Sequence, residues 1–381
     1  MTETCGLTYD AGHTISVLGE GFSSRPANSG AKIRAMPLTL LVSDTLLPAD
    51  ISDRIEAPRL AGLETLLARG NTKHQPGLAL EEWLLGAWGW GDNTVAPLTL
   101  LADGVAPGDA VWMRADPVHL HIERDHIQLF DHHVFKLEQV EADALVASLN
   151  QHFAQDGLSF LAPTAKRWYC RIDASEAPLT TPLWRVLGRG IFDYMPVSQG
   201  KRDWKSLANE IQMLFFEHPI NQAREARREL PINGVWLWGA GQLPATSPAT
   251  SFSKASMPYS HIYADVAVAQ GMALHGGSVL YALPAHFAAL DSGDQSNTLV
   301  VLHTLTRALR AADHDAWVTN LAALERDWFA PALAALKSGA LDGLRLCLPC
   351  EQVTLACSIK RSDFYKFWRF SRPLSSYAAH A

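Results

Sequence analysis

The chain has 381 residues, of which 48% are hydrophobic and 19% charged, and its net charge is -7. This length exceeds what one hydrophobic core usually serves, so we expect two domains or one core with a large insertion. The acidic balance argues against bulk nucleic-acid binding. No stretch approaches the ~20 apolar residues that cross a bilayer, and no secretory signal is visible, so we expect a cytoplasmic protein without a membrane partner.

The elements begin as a strand followed by a helix. Residues 1–35 are rich in Gly, Ser, Thr and Asn and predict a flexible leader, whereas Leu38–Val42 predicts the first core strand. Apolar residues at helical spacing stop at Gly70, which predicts a helix over 60–69. Strand then helix, repeated along the chain, predicts an α/β fold.

The middle of the chain predicts a smaller antiparallel subdomain that contains helices. Strands are expected at 110–113, 118–122, 126–130 and 167–172, and helices at 141–153 and 204–216. Further on, strands are expected at 235–238, 299–302 and 344–348, and helices at 265–274 and 317–336, with a surface loop at 244–256.

Arg114 and Asp116 stand at the end of one predicted strand. A guanidinium at that place can clamp a phosphate or carboxylate with two hydrogen bonds. Alternatively, the two side chains pair with each other. A metal site at His119 and His121, or at the pair 132–133, is less favoured, because no third ligand follows at a useful spacing.

The stretch from residue 218 to 244 is the most informative part of the chain. A polar turn leads there into an apolar strand, 235–238, which the pattern predicts to be buried on both faces. Loops at the carboxyl ends of such strands bind ligands. The candidate ligand contacts are Asn221, Arg224, Asn233, Gly239 and Gly241. The alternative is that the polar side chains only cap and pair the loop backbone.

The five cysteines are scattered and odd in number, which is typical of a reducing compartment rather than a disulfide framework. Cys347 and Cys350 form a C-x-x-C pair that lacks a second pair and closes an apolar run, so redox or metal chemistry there is the less favoured interpretation. The aromatic run Trp83–Trp90 is either core or a docking patch for a protein partner. Nucleophile-elbow, P-loop, dinucleotide and H-E-x-x-H motifs are absent.

Taken in order, several segments resemble the archaeal-type, cofactor-independent phosphoglycerate mutases of the alkaline phosphatase superfamily. The whole is most similar to the proteobacterial RpfE-type regulatory proteins related to them. The matching segments are the strand ending at Asp44, GDAVWMRADPV at 108–118, the block 218–244, and 300–333 with Glu325-Arg-Asp327. The resemblance covers roughly residues 36–350.

Those mutases use two metal ions to activate a serine that carries the phosphoryl group. The serine position corresponds here to Gly91, which has no oxygen to phosphorylate. The Asp-x-x-x-His pair expected after the strand 299–302 is out of register, and Leu348-Pro349 stands in place of the closing Asp-His. The metal ligands that the resemblance leaves are Asp44, Asp92, His303, His314 and Asp315.

The resemblance implies an α/β fold whose alkaline-phosphatase-like core sheet, 36–105 and 231–370, is flanked by helices. A smaller α+β domain is inserted at 106–230, and 371–381 is a tail. Because two-metal phosphoryl transfer needs several ligands, the resemblance implies a regulatory or binding protein without cofactor, for a phosphorylated or acidic small molecule or a protein partner. The alternative is an active phosphoglycerate mutase or phosphomonoesterase that uses Mn or Mg, with Ser43 or Thr94 as nucleophile.

Overall fold

The structure is a computed structural model, and its described residues all fall in the second of two units of the chain, residues 36–381. The described residues are 38–47, 55, 57–91, 95–122, 127–187, 189–243, 258–290 and 297–378. The predicted leader at 1–35, the predicted loop at 244–256, and the candidates Asp92 and Thr94 lie outside them.

The strands, in chain order, are β1 (Leu38–Val42), β2 (Asn71–Pro76), β3 (Val111–Ile122), β4 (Ile127–Phe130), β5 (Ser159–Thr164), β6 (Arg167–Ile172), β7 (Gly234–Gly241), β8 (His261–Tyr263), β9 (Val279–Tyr281), β10 (Thr298–Leu302), β11 (Gly343–Pro349) and β12 (Val353–Lys360). The helices are α1 (Ala61–Arg69), α2 (Leu80–Ala87), α3 (Val95–Ala102), α4 (Gln139–His152), α5 (Trp204–Phe216), α6 (Pro219–Ala226), α7 (Ala267–Gly276), α8 (Thr304–Arg310), α9 (His314–Leu324) and α10 (Ala330–Ser338).

A seven-stranded mixed sheet with helices on both faces forms the centre of this α/β fold, with the order β2-β12-β11-β1-β10-β8-β9. β1 pairs in parallel with β10 and β11, while β12 runs antiparallel to β11. Side chains of β1 alternate between two cores: Leu40 packs with α1, α9 and α10, and Leu41 packs with α2, α3 and α7. A strand buried on both faces needs an apolar run without alternation, which Leu38–Val42 supplies.

A second, antiparallel sheet has the order β4-β3-β6-β5, and β7 pairs with β3. The predicted antiparallel pairing of these strands is confirmed, although the strands expected at 110–113 and 118–122 are one long strand, β3. β7, which the predicted boundary at residue 231 groups with the core sheet, instead pairs with β3 from Val118 to Trp112. Its apolar run is buried on both faces as predicted, but the faces belong to the smaller sheet. The domain boundaries stay a prediction.

α3 lies between the two sheets. It contacts α7 beside the large sheet and both β3 and β7 of the smaller sheet. Its first six residues, Val95 to Leu100, are all buried, as expected of a helix that is apolar all round. Gly271 of α7 lets the two helices meet, because a Cβ added there would stand 2.0 Å from the Leu98 carbonyl oxygen.

The helix predicted over 317–336 is longer than expected and contains one π-helical turn, Glu325–Phe329, between α9 and α10. That turn aims the Glu325 carboxylate at α1, where it accepts hydrogen bonds from the N–H groups of Gly62 (2.6 Å) and Leu63 (3.1 Å). Since Leu60 at the start of α1 offers no capping side chain, Glu325 supplies the cap from a distant element.

Among the helices of the described ranges, none combines the length and the apolar character that a bilayer span requires.

The contact between α3 and α7 makes the first prediction. Gly271→Ala should lower the free energy of unfolding by about 3 kcal/mol, because the new methyl group must push the two helices apart. Gly86→Ala in α2 is the matched control, since a Cβ there meets nothing within 4 Å, and it should be neutral or slightly stabilising. Urea unfolding of both variants measures the difference; equal stabilities would contradict the close approach.

Candidate functional site

A cavity of about 610 Å³ opens between the carboxyl end of β10 and the smaller sheet. Residues that follow parallel strands of the large sheet reach it, notably His303 after β10 and Asp265 after β8. Because carboxyl ends of parallel strands meet at one edge of a sheet, this is where an α/β protein usually binds its ligand. Five cationic side chains line the cavity: Arg114, Lys166, Arg167, Arg307 and Arg310.

Arg114 is the most firmly held of these cations. Its Nε and Nη2 donate to Asp116 Oδ1 at 3.0 and 2.5 Å, and its Nη1 donates to Thr99 Oγ1 at 3.3 Å. The Tyr169 and Trp238 rings lie on its guanidinium, 5.3 and 5.2 Å from ring centroid to Cζ. The alternative, in which Arg114 and Asp116 pair with each other, is therefore observed, and ligand binding by these residues stays a prediction. The guanidinium carries five N–H donors, so two remain for a ligand in the cavity.

The carboxylates that line the cavity are all engaged with neighbours. Burial raises the pKa of Asp116 despite the Arg114 charge, and Asp116 Oδ2 also accepts from Trp238 Nε1 at 2.7 Å. The other three pairs are Glu81 with Arg310, Asp131 with His133, and Asp265 with His303.

Two of the cations have no such partner. Lys166 and Arg307 are exposed at the edge of the cavity and form no ion pair or side-chain hydrogen bond with any described residue. Arg167, by contrast, is paired with Asp103. The two charged side chains of the lining that have no partner among the described residues are therefore both positive.

Within the block at 218–244, Trp238 lines this cavity, whereas the predicted ligand contacts of the block support the backbone. Asn221 donates to the carbonyls of Phe215 (2.8 Å) and Ile232 (2.7 Å) and accepts from Ile232 N (2.8 Å). Arg224, fully buried, bonds Glu141 and two carbonyl groups, and Asn233 pairs with both backbone groups of Leu120. These are the contacts of the structural alternative, so we correct the ligand-binding interpretation of these three residues.

The two glycines of the same block also have structural explanations. Gly239 has φ 65°, which favours glycine, and its N–H donates to Thr180 Oγ1 at 3.1 Å. Gly241 closes β7 opposite Trp112 of β3. Neither glycine lines the cavity.

Asp44 stands at the end of β1, as predicted, in the left-handed region with φ 57°. Its N–H bonds Pro349 O (2.8 Å), its carbonyl accepts from Trp317 Nε1 (2.9 Å), and its carboxylate accepts from Thr306 Oγ1 (2.5 Å). Ser43 Oγ, fully buried, lies 2.5 Å from the same Thr306 hydroxyl. Burial raises the pKa of Asp44. A buried Ser43 whose hydroxyl is already engaged is a poor nucleophile.

The described members of the predicted metal set do not come together. Asp44 and His314 line a neighbouring cavity of about 720 Å³, His303 lines the first cavity against Asp265, and Asp315 lines neither. Within the described ranges, one group of three potential ligands lies within 4.8 Å: Asp131, His132 and His133. The donors among the described residues thus do not fit a two-metal centre, which needs several ligands around two ions about 4 Å apart.

Residues 131–133 carry a pairing that the sequence argument set aside. His133 Nδ1 lies 2.9 Å from both oxygens of the buried Asp131 carboxylate. Burial would raise the pKa of Asp131, but the hydrogen bond from His133 and the charges of both histidines lower it. Burial lowers the pKa of His132 to about 3, so this imidazole is neutral at physiological pH.

The remaining sequence candidates belong to the core or to strand surfaces. Burial raises the pKa of the Cys347 thiol to about 11 and that of Cys350 to about 12, so neither is a reactive thiolate. His119 is buried with Nδ1 2.8 Å from Pro231 O, while His121 is exposed. Trp88 is buried, and Trp83 and Trp90 pack against the same core, so the aromatic run is not an exposed docking patch.

Sequence reasoning missed Lys166, Arg167, Arg307 and Arg310 as cavity residues. Arg307 and Arg310 lie on α8, directly after β10, so their position behind a core strand was the available signal. Lys166 and Arg167 sit at the turn between β5 and β6, and only the pairing of β6 with β3 brings them near Arg114.

No family model matches the chain. Curated relatives with distant sequence similarity are phosphoglycerate mutases that do not depend on 2,3-bisphosphoglycerate. The protein of Methanosarcina barkeri is 25% identical over 156 residues (40% of this chain, 38% of the relative), and that of Methanosarcina mazei is 22% identical over 213 residues (55% and 52%). A probable mutase of Geobacter sulfurreducens is 24% identical over 151 residues (39% and 38%).

Solved structures of similar proteins include the cofactor-independent phosphoglycerate mutase of Thermoplasma acidophilum, with a TM-score of 0.41 and 13% identity over 90% of this chain and 95% of that one. A Pyrococcus horikoshii protein matches with a TM-score of 0.48 and 14% identity over 86% and 88%. The chain matches 38% to 52% of the length of the curated relatives named above. This distant sequence similarity supports a relation to the superfamily of these mutases.

The buried Asp44 carboxyl makes a pH prediction. Its folded-state pKa is raised, so its contribution to stability is complete below the ordinary carboxyl pKa and is lost as pH rises through the folded value. The asparagine of Asp44→Asn cannot ionise. The melting temperature of this variant relative to wild type should therefore increase as pH rises from about 4 to about 8. Asp173→Asn is the control with the opposite trend in a lower pH window: hydrogen bonds from Ser175 lower the pKa of exposed Asp173, so this variant should lose melting temperature relative to wild type as pH rises toward about 4 and then stay level. A difference in melting temperature between Asp44→Asn and wild type that does not change with pH would contradict the raised pKa of Asp44.

The structural role of Asn221 gives another testable prediction. Asn221→Ala should lower the free energy of unfolding by about 3 kcal/mol, since it leaves buried backbone groups of Phe215 and Ile232 without partners. The neighbouring Gln222→Ala, at an exposed position, should change stability by less than about 0.5 kcal/mol. Chemical denaturation compares them. A stable Asn221→Ala protein with lost ligand affinity would restore the ligand-binding interpretation.

Proposed function

We propose that this chain is a phosphoglycerate-mutase-like protein that binds a phosphorylated or acidic small molecule in the cavity beside Arg114 and acts as a regulatory or binding protein, without phosphoryl transfer. The observation that carries the proposal is the guanidinium of Arg114, fixed between two aromatic rings with donors left for a ligand. An immobilised guanidinium loses little side-chain entropy when it binds an anion, and its fork matches phosphate and carboxylate oxygens.

The charge distribution around Arg114 favours an anion. Each lining carboxylate lies against an arginine or a histidine, so it repels an incoming anion less than a free carboxylate does. Lys166 and Arg307 stand uncommitted at the edge and attract it. The neighbouring cavity is larger but balanced, because its arginines 185 and 189 pair with Glu82 and Glu351.

The absence of phosphoryl transfer rests on the residues that would perform it. Gly91, at the position that corresponds to the serine of the mutases, is exposed, and a Cβ there would meet nothing within 4 Å. A larger side chain would fit there, so steric constraint does not require glycine. The position offers no hydroxyl group. Asp44 is engaged by Thr306, and the other candidate metal ligands among the described residues are dispersed.

The relatives are named phosphoglycerate mutases, which supports a phosphorylated three-carbon acid as the first ligand to test. Calorimetric titration with 3-phosphoglycerate and with inorganic phosphate should show binding to wild type. Lys166→Gln and Arg307→Gln should each weaken it about tenfold, equivalent to about 1.4 kcal/mol, because each removes one uncommitted charge. Lys205→Gln on α5, at an exposed position outside the cavity lining, should leave it unchanged.

Two results would contradict the proposal. Equal affinities of the Lys166→Gln, Arg307→Gln and Lys205→Gln proteins would remove the cavity as the binding site. Interconversion of 3- and 2-phosphoglycerate at an enzyme-like rate after addition of Mn²⁺ or Mg²⁺ would establish the active mutase instead, and stoichiometric metal in elemental analysis would accompany it.

A further inference from the structure

A segment near the end of the described chain exposes four large aromatic side chains within six residues. Tyr365 is 82% exposed, Phe367 74%, Trp368 60% and Phe370 80%. The segment from Lys360 to Arg372 is called the aromatic-basic segment below. Large apolar side chains that are exposed singly are normal on a protein surface, whereas a contiguous group of them marks an interaction surface.

The aromatic-basic segment is fixed to the body of the protein. Arg369 Nη1 donates to the carbonyl of Gly70 at 2.7 Å, and Arg69 donates to the carbonyl of Lys366. Phe364 turns inward, packs against the large core and lies beneath Lys337, whose Nζ is 5.9 Å from the ring centroid. The Phe364 ring thus anchors the segment, while the other four rings are exposed. Their exposure results from a backbone conformation that these contacts fix.

The same segment is basic in an acidic protein. It contains Lys360, Arg361, Lys366, Arg369 and Arg372 against one acidic residue, Asp363, in a chain of net charge -7. Lys366 is paired with Asp363 at 2.6 Å. Arg361 and Arg372 are exposed and make no ion pair or side-chain hydrogen bond with the part of the chain that the structure describes. The surface therefore offers apolar rings and uncommitted positive charge side by side.

We propose that the aromatic-basic segment is a membrane-surface site that adsorbs to anionic phospholipid bilayers. Phe, Tyr and Trp side chains settle at the boundary between headgroups and acyl chains, where the rings are buried and their polar atoms stay hydrated. Neighbouring lysines and arginines add electrostatic attraction to anionic headgroups. Adsorption of this kind needs no spanning helix, so it differs from the membrane insertion that the sequence argued against.

The geometry favours lipid over single-stranded nucleic acid. Nucleic-acid platforms present ring faces on which successive bases stack. Here Phe367 and Trp368 meet edge to face, with centroids 5.3 Å apart and planes at 80°. Rings at right angles to one another do not offer parallel faces to neighbouring bases, whereas insertion between lipid chains sets no such requirement.

A second copy of the chain fits less well than a bilayer. In a two-fold dimer the same patch meets itself, so the uncommitted charges of Arg361 and Arg372 would lie against a second patch that is also positive. Like charges brought together without an intervening anion repel one another. The aromatic-basic segment is therefore complementary in charge to a negative surface.

Co-sedimentation with large vesicles tests the proposal. Wild type should bind vesicles of phosphatidylcholine with phosphatidylserine, and binding should weaken as salt rises and with phosphatidylcholine alone. Phe367→Ala/Trp368→Ala/Phe370→Ala should bind at least about tenfold more weakly, and Arg361→Gln/Arg372→Gln about twentyfold more weakly on anionic vesicles. Phe216→Ala, which removes a 79% exposed ring from α5, is the matched control and should bind like wild type.

The changed side chains are exposed, and unchanged circular dichroism and phosphate binding of each variant confirm that fold and cavity are retained. Equal binding of wild type and both multiple variants to anionic vesicles would overturn the proposal. So would binding of wild type to a single-stranded oligonucleotide but not to vesicles, or a concentration-dependent dimer that only the aromatic variant abolishes. Failure of the cavity variants at 166 and 307 leaves this test unaffected, because the two sites share no residue.

Discussion

The structure depends on the burial of one short helix, α3, between the two sheets. A helix that is apolar on every side must be covered on every side, and α7, β3 and β7 provide that cover. The fit is close on two sides: Gly271 admits the Leu98 carbonyl, and Gly239 lies against Val95, where a Cβ would be 3.4 Å from the valine Cβ. The separation of the two sheets is thereby fixed by packed atoms and not by a linker.

The fixed separation determines the chemistry of the cavity. Thr99, on the same helix, accepts from Arg114, so the helix that separates the sheets also positions the cation between them. A buried charge is costly unless it is paired and hydrogen-bonded, and Asp116 and the two rings meet that requirement for Arg114. Since the guanidinium is held before any ligand arrives, the recognition of an anion requires little rearrangement.

The local pattern predicted part of the elements and did not predict α3 or the strands β2 and β12. β1, β6 and α5 occur where periodicity placed them, because their side-chain pattern and their burial agree. It could not predict that β7 joins the smaller sheet, since an apolar run buried on both faces looks the same in either sheet. The sequence offered two interpretations of Asn221 and Arg224 and could not decide between them, because polar side chains that bind the backbone and those that bind a ligand have the same residue types. Cavity residues brought together by sheet pairing, such as Lys166 beside Arg114, leave no local signal.

At the carboxyl edge of the large sheet, polar side chains that could hold a cation are used for structure. Asp44 is bound by Thr306, Glu325 caps α1, and His303 faces Asp265. In the cavity lining, the charged side chains without a partner among the described residues are those of Lys166 and Arg307. A lining whose carboxylates lie against arginines and histidines and which keeps two free cations favours anions by electrostatics, which is the physical basis of the binding function proposed for this protein.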